Sequence, residues 1–146
     1  MAYNFKQGIY KPLYPEKWVN PNNIVYRSGL EKKYFKHLER HQAIEKIASE
    51  EFYIPYYSPV DNKMHRYFVD LMVKTKTGEI WIIEIKPDSQ TRPPKNSKRK
   101  KQTTFLQEAL TYEINNAKWT AAKEFCRKRG YKFLIATELD LKNVRN

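Results

Sequence analysis

From His65 to Lys86 the chain reads HRYFVDLMVKTKTGEIWIIEIK. Two runs rich in β-branched and aromatic residues flank Lys76-Thr77-Gly78. Such runs, joined by three residues ending in glycine, make a β-hairpin with the glycine in the left-handed conformation. Strands are expected over 65–75 and 79–86. The loop fixes the register. With Thr75 opposite Glu79, Met72 faces Ile82, Asp70 faces Glu84 and Phe68 faces Lys86. Side chains alternate between the faces of a strand. Asp70, Glu84 and Lys86 therefore share one face at one end of the hairpin.

The flanking segments supply helices. Ser28 is a good N-cap with Glu31 three residues on, as in a capping box. Leu30, Tyr34, Phe35 and Leu38 then recur at helical spacing, and this helix is expected to end near 40–42. AIEKIASEEFYIPYY reads as one or two strands broken near Ser49. From Gln102 to Arg129 apolar residues return at helical spacing, with a break expected at Asn115-Asn116 and a stop at Gly130. YKFLIAT is a last strand, and the tail ELDLKNVRN is expected to be helical or disordered. Helix, strands with a hairpin, long helix and strand make a sheet flanked by helices, of α/β or α+β class. Residues 1–27 precede this as an extended arm, so the domain proper spans 28–146. The arm carries Pro12, Pro15 and Pro21, which disfavour helix. It also carries Tyr3, Phe5, Tyr10, Tyr14, Trp18 and Tyr26, which need a surface to pack on, on the domain or on a partner.

A length of 146 residues with 40% hydrophobic content suits one core. No apolar run approaches the roughly 20 residues of a membrane span, and the N-terminus lacks a signal-like apolar stretch. A soluble protein of the cytoplasm is expected. Cys126 is the single cysteine, which rules out an internal disulfide and a thiolate zinc cage within one chain. Lys and Arg number 28 against 16 Asp and Glu, a formal net charge of +12. So strong a charge on a short chain implies a polyanionic partner, of which nucleic acid is the usual one. No basic amphipathic helix with a large apolar face is present to lie in a membrane surface.

Two carboxylates facing each other on neighbouring strands have Cβ atoms about 4.5–5.5 Å apart and repel one another. One of them is pushed toward its neutral form unless a cation intervenes. Oxygen ligands at that spacing suit Mg²⁺ or Mn²⁺, which accept a pair of carboxylates alongside water and phosphate oxygens. Lys86, two residues beyond Glu84, could orient a water or steady charge on a phosphate. The trio thus suits metal-assisted hydrolysis of a phosphodiester. By spacing alone it equally suits an exposed ion-pair cluster.

Asp70, then Glu84-Ile85-Lys86 on the next strand, after a helix bearing Glu31 and before a long helix, resembles the PD-(D/E)XK nuclease superfamily with its αβββαβ core. Within it, YRSGLEKKYF, RYFVDLMV, EIWIIEIKP and AKWTAAKEFCRKRGYKF are similar to the head completion nucleases of contractile-tailed phages. The likeness to the TnsA transposon endonucleases is more distant. It spans about residues 24–137. The resemblance implies that Asp70 and Glu84 hold a Mg²⁺ or Mn²⁺ ion, with the Ile85 carbonyl as a third ligand. Lys86 would be the motif lysine and Glu31 the helix-borne acid that completes the metal shell. The residue before Asp70 is Val69 rather than the proline of the superfamily name, a departure many members share. The implied activity is a Mg-dependent endodeoxyribonuclease that leaves 5′-phosphate and 3′-hydroxyl ends. Its implied setting is the bacterial host cytoplasm during phage assembly, or the virion head. Implied partners are double-stranded DNA and the portal or other head vertex proteins. Two rival readings stay open: a structural head or neck protein that binds DNA without cutting, and a recombination or repair nuclease with the same core.

PDSQTRPPKNSKRKK, residues 87–101, has no apolar side chain except its prolines and reads as a mobile basic loop. Arg92, Lys95, Lys98, Arg99, Lys100 and Lys101 are candidates for DNA phosphate contacts. Arg127, Lys128 and Arg129 end the long helix, where cations suit its dipole, and are taken as structural. His37 and His41 have metal-ligand spacing but lack the acid of an H-E-x-x-H motif, and His65 is also taken as structural. Tyr112 and Trp119 are expected in or at the rim of the core.

Overall fold

The computed structural model describes residues 7–142. Tyr3 and Phe5 of the arm, and residues 143–146 of the tail, lie outside the described residues. The sheet that organises the fold has four strands: β3 (Ile44–Ser49), β6 (Leu71–Thr75), β7 (Ile80–Ile85) and β8 (Lys132–Ala136), in the order β3-β6-β7-β8. The first two pairings are antiparallel and the last is parallel. Helix α1 (Gly29–Arg40) precedes β3, and α2 (Gln102–Arg129) makes the long crossover from β7 to β8 that a parallel pair requires. A short helix α3 (Glu138–Lys142) follows β8. This is a mixed α+β fold of restriction-endonuclease type.

The hairpin register is the one the loop dictates. Met72 pairs with Ile82 and Leu71 with Ile83. The Thr75 N–H donates to the Glu79 carbonyl at 2.9 Å across the loop, and Gly78 takes φ 91°, which a side chain would resist. Alternation then sorts the apolar residues. Leu71, Val73, Ile83 and Ile85 pack on Tyr34 and Phe35 of α1. Met72 and Ile82 turn to the other side, against Ala122 and Cys126 of α2. Buried on both faces, β7 can be apolar throughout until it reaches the sheet's end.

The long first strand expected over 65–75 is in fact two. β5 (Lys63–Phe68) ends before Asp70, and β6 starts after it. β5 leaves the main sheet to pair with β4 (Tyr53–Ser58) in a separate antiparallel ribbon. The switch occurs at Val69, whose N–H bonds to the Phe52 carbonyl at 3.2 Å and whose side chain is buried. Phe68 consequently faces Tyr53, not Lys86. Two other expectations also change. α2 runs unbroken through Asn115-Asn116, with Asn115 buried. It stops at Gly130, in the left-handed conformation with φ 71°. The basic loop opens with a 3-10 turn over Asp88–Thr91. The Asp88 N–H donates to Glu138 Oε1 at 2.6 Å, and the Thr91 hydroxyl donates to the Asp88 carbonyl at 2.6 Å.

The described part of the N-terminal arm is fastened to the domain. It holds a two-residue strand pair, β1 (Gly8–Ile9) with β2 (Val25–Tyr26), and a 3-10 turn at Pro15–Lys17. Tyr10, Trp18 and Ile24 are buried with Phe35. The rings of Tyr10, Trp18 and Phe35 lie 5.6–5.7 Å apart by centroid. At their centre is Glu39 of α1, fully buried. Its carboxylate accepts from the Tyr10 hydroxyl, from the Tyr14 N–H at 2.7 Å and from Trp18 Nε1 at 3.2 Å. A buried carboxylate with three donors is satisfied, and it stitches the arm to the helix.

Candidate active site

At the end of the sheet where β7 finishes and β6 begins, Asp70, Glu84 and Lys86 come together. Asp70 stands just ahead of β6, where the ladder with β7 would continue. The Ile85 N–H donates to Asp70 Oδ2 at 2.8 Å. Glu84 projects from β7 on the α2 side and is buried, 6% exposed. The Tyr67 hydroxyl donates to its Oε2. Lys86 Nζ lies 3.8 Å from Glu84 Oε1. The Asp70 and Glu84 carboxyls are within hydrogen-bonding reach of each other. Just past β7, the Lys86 N–H donates to the Ala136 carbonyl at 3.0 Å, so its backbone is as fixed as a strand's.

Glu31 approaches from the α1 layer. Ser28 Oγ accepts from the Glu31 N–H at 3.1 Å, which is the cap that starts the helix. The Glu31 carboxylate does not close the capping box on Ser28. It receives the Arg27 N–H at 3.4 Å instead. Arg27 also forms a two-point pair with Glu50 at 2.8 and 2.9 Å. Glu50 sits just past β3 at φ 52°, and its N–H bonds to the Asp70 carbonyl at 3.3 Å. Arg27 and Glu50 thus tie the start of α1, the end of β3 and the Asp70 backbone into one rim.

The electrostatics are those of a site short of positive charge. Burial, then Glu84, then Glu31, push Asp70 well above the ordinary carboxylate range. Burial likewise raises Glu84, against the pull of Tyr67, Lys86 and Lys118. Burial raises Glu31 too, with Glu50 and Glu84 adding to it. The Tyr67 phenol is raised by burial and by Glu84, so it stays protonated and donates. Among the described residues no three His, Cys, Asp or Glu side chains form an ion cage by themselves. The donor set is a carboxyl pair with a third acid within electrostatic reach, which fits a hard divalent cation that fills its shell with water and phosphate.

Sequence reasoning did not find Tyr67, Lys118, Arg27 or Glu50. Lys118 lies on α2, with its ammonium 5.9 Å from the Tyr56 ring centroid and 5.6 Å from that of Tyr67. Burial lowers its pKa, while Glu84 and Asp70 act to raise it. Its signal was present: Lys118 falls between Ile114 and Ala122 at four-residue spacing, inside the apolar stripe of the helix. A lysine in a buried stripe needs a partner. Tyr67 had no such mark, because its alternation is that of any half-buried strand tyrosine.

The basic residues after Lys86 are less uniform than their sequence suggests. Arg92 pairs with Asp88 at 2.7 Å and Lys100 with Glu108 at 3.1 Å. Among the described residues, Lys95, Lys98, Arg99 and Lys101 make no ion pair and are exposed. With α2 the loop encloses a cleft of about 840 Å³ whose walls include Arg92, Lys95, Thr103, Gln107 and Asn115. Asn115 lies one helical turn from Lys118 on α2. Arg127 pairs with Glu124 at 2.6 Å on the helix surface. His65 pairs with Asp61 at 2.7 Å, away from the carboxyls. The His41 ring accepts from the Ala43 N–H at 3.1 Å. Trp119 is buried and Tyr112 partly so.

A mixed sheet carrying an acid pair and a lysine at its rim, with helices on both faces, defines an endonuclease of the restriction-enzyme type. Residues 41–138 match the TnsA-like endonuclease N-terminal family, and the chain belongs to that family. Over 139 residues it is also 37% identical to the head completion nuclease of Enterobacteria phage T4, an overlap of 86% of this chain and 91% of that protein. Among the described residues no helix is long and apolar enough to cross a membrane.

Proposed function

We propose that this protein is a divalent-metal-dependent endonuclease that cuts double-stranded DNA during phage head completion. The observation that carries the reading is the convergence of Asp70, Glu84 and Lys86 where β6 and β7 meet. Asp70, Glu84 and the Ile85 carbonyl would hold one Mg²⁺ or Mn²⁺ ion, with Glu31 completing its surroundings. Such an ion supplies Lewis acidity toward water and toward a phosphate oxygen. The protein does the rest by positioning. The Ile85 N–H fixes the Asp70 carboxylate, and the Tyr67 hydroxyl fixes that of Glu84. Lys86 stands beside Glu84, where an ammonium can orient the attacking water and steady charge on the phosphate. Hydrolysis adds water across one P–O3′ bond, with the oxygen joining phosphorus and a proton going to the leaving 3′ oxygen. The products are a 5′-phosphate and a 3′-hydroxyl.

The exposed cations Lys95, Lys98, Arg99 and Lys101, with Arg92 and Lys100 beside them, would run along the phosphate backbone. Phosphate contacts place DNA without reading its sequence. The T4 relative is named for head completion, and the setting would be the host cytoplasm during assembly or the head, with portal or vertex proteins as neighbours. Nicking of supercoiled plasmid in Mg²⁺ tests the catalytic reading. Wild type should nick, EDTA should stop it, and Asp70→Ala and Lys86→Ala should each be inactive. Equal cutting by wild type and both variants would remove the activity from this site.

A further inference from the structure

The β4–β5 ribbon buries one face and exposes the other. Ile54, Tyr56 and Tyr67 point inward to α2. Outward stand three cross-strand pairs: Tyr53 with Phe68, Pro55 with Arg66, and Tyr57 with Met64. Tyr53 is 43% exposed, Tyr57 56%, Met64 63% and Phe68 50%. The Tyr53 and Phe68 rings lie 5.6 Å apart, and the Arg66 guanidinium sits 5.0 Å over the Tyr53 ring. These six positions hold three aromatic rings, a thioether, a proline and a guanidinium, and no carboxylate. Soluble proteins seldom leave so continuous an aromatic strip in water without a ligand for it.

The charge and the location choose the ligand. The face has a single charge, and it is cationic, on a chain of net charge +12. One end of the face lies close along the chain to the catalytic centre. Phe68 is two residues before Asp70 on the same run of chain, about 7 Å along it, while its neighbour Tyr67 points to the opposite face of the ribbon and holds Glu84. DNA seated with a phosphate at Asp70 and Glu84 would bring a neighbouring nucleotide to the Phe68 end of this strip. A duplex keeps the flat faces of its bases stacked inside, so it offers the rings nothing. Unpaired bases present those faces, and every base can stack on tyrosine or phenylalanine and against arginine.

We infer that the outward face of β4–β5 is a stacking platform for unpaired bases, which directs cutting to DNA carrying a single-stranded tail or gap beside a duplex. The inference rests on the nuclease reading, and its test separates the two. Binding is measured by fluorescence anisotropy in Ca²⁺, using a blunt duplex and the same duplex with a single-stranded tail. Wild type should favour the tailed DNA about tenfold, the scale of one or two stacked bases. The triple variant Tyr53→Ala, Tyr57→Ala, Phe68→Ala should lose that preference and still nick plasmid in Mg²⁺. Asp70→Ala should keep the preference and lose nicking, so failure of one reading leaves the other standing. Should the triple variant fold poorly, wild type alone decides. A 2-aminopurine in the tail should be quenched on binding, and an unquenched probe overturns the platform. Equal binding of tailed and blunt DNA by wild type also overturns it, as does a triple variant that keeps the preference. Either result would leave the strip to a protein partner.

Discussion

The Ile85 N–H donates to Asp70 Oδ2 at 2.8 Å, so a side chain completes the β6–β7 ladder where the backbone of β5 has already turned away. This bond holds the Asp70 carboxylate against β7, beside Glu84, at a cost the fold bears for function. Replacing Asp70 by Asn keeps an acceptor for Ile85 and removes the repulsion. Without divalent ions, Asp70→Asn should be more stable by about 1 kcal/mol, a rise of a few degrees in Tm. Its cutting should fall at least about a hundredfold, since the proposed metal site would lose one of its charges. Thermal melts in EDTA and plasmid nicking check both halves. A loss of stability would mean that the acid pair is not in conflict.

The same conflict sets a pH dependence. Asp70, Glu84 and Glu31 are all raised above their ordinary values, with burial the leading cause. An acid that holds its proton more tightly when folded stabilises the fold below its unfolded pKa, and that stability is lost as pH rises through the folded value. In EDTA, wild type should therefore lose stability relative to Asp70→Asn as pH climbs from about 4 toward neutrality. The difference between the two proteins isolates the site from the surface acids. Mg²⁺ at a hundred times its dissociation constant should return about 2.7 kcal/mol to wild type and much less to the variant. Melts over a pH series, with and without Mg²⁺, decide it. A gap that does not change with pH would refute the coupling.

Much of the fold was legible because local signals agreed. The Lys76-Thr77-Gly78 loop fixed the β6–β7 register, Ser28 started α1 and Gly130 ended α2. The meeting of Asp70, Glu84 and Lys86 followed from that register by alternation. What failed was long-range. Nothing in HRYFVDLMV says that its first half pairs with Tyr53–Ser58 rather than with β7, because its own alternation suits either partner. Asn115-Asn116 looked like a breaker, yet burial beside the cleft overrides a weak propensity. Glu39 was hidden for another reason. A glutamate on a helix is assumed to face water, and its three donors come from residues more than twenty positions away.

Glu31 separates capping from chemistry. The cap is made by the Glu31 N–H and Ser28 Oγ, which any residue at 31 preserves. The carboxylate turns toward Arg27, within electrostatic reach of Asp70. Glu31→Gln should fold with a Tm within a degree or two of wild type, because the cap is kept and the Arg27 N–H keeps an acceptor. It should also lose most of its nicking in Mg²⁺. An active Glu31→Gln protein would return this residue to a purely structural role.

Glu39 carries the opposite pattern. Its carboxylate is the shared acceptor for Tyr10, Tyr14 and Trp18, and Lys17 Nζ reaches its backbone carbonyl at 2.8 Å. Glu39→Leu leaves three donors facing an apolar side chain. The expected loss is about 3 kcal/mol, the scale of breaking a buried polar network. Urea unfolding measures it, and proteolysis should show the arm released before the sheet. Nicking per folded molecule should be unchanged, because Glu39 lies in the arm's core and not at the acid pair. A variant as stable as wild type would mean that the arm is held by its aromatic rings alone.

Lys118 tests how far the site extends beyond the motif. Its ammonium is half sunk between Tyr56, Tyr67 and the carboxyl pair, and burial lowers its pKa despite Glu84 nearby. A charge kept in so poor a place stabilises little by itself. Under the proposed function it would neutralise a phosphate oxygen of DNA held at Glu84 and Lys86. Lys118→Met keeps the apolar stem and removes the charge. Stability should stay within about 1 kcal/mol of wild type, and cutting should fall about ten- to a hundredfold. The salt dependence of binding should also flatten by about one counterion. Kinetics and anisotropy over a salt series provide both readouts. Unchanged cutting with an unchanged salt slope would make Lys118 a buried neighbour of the site rather than part of it.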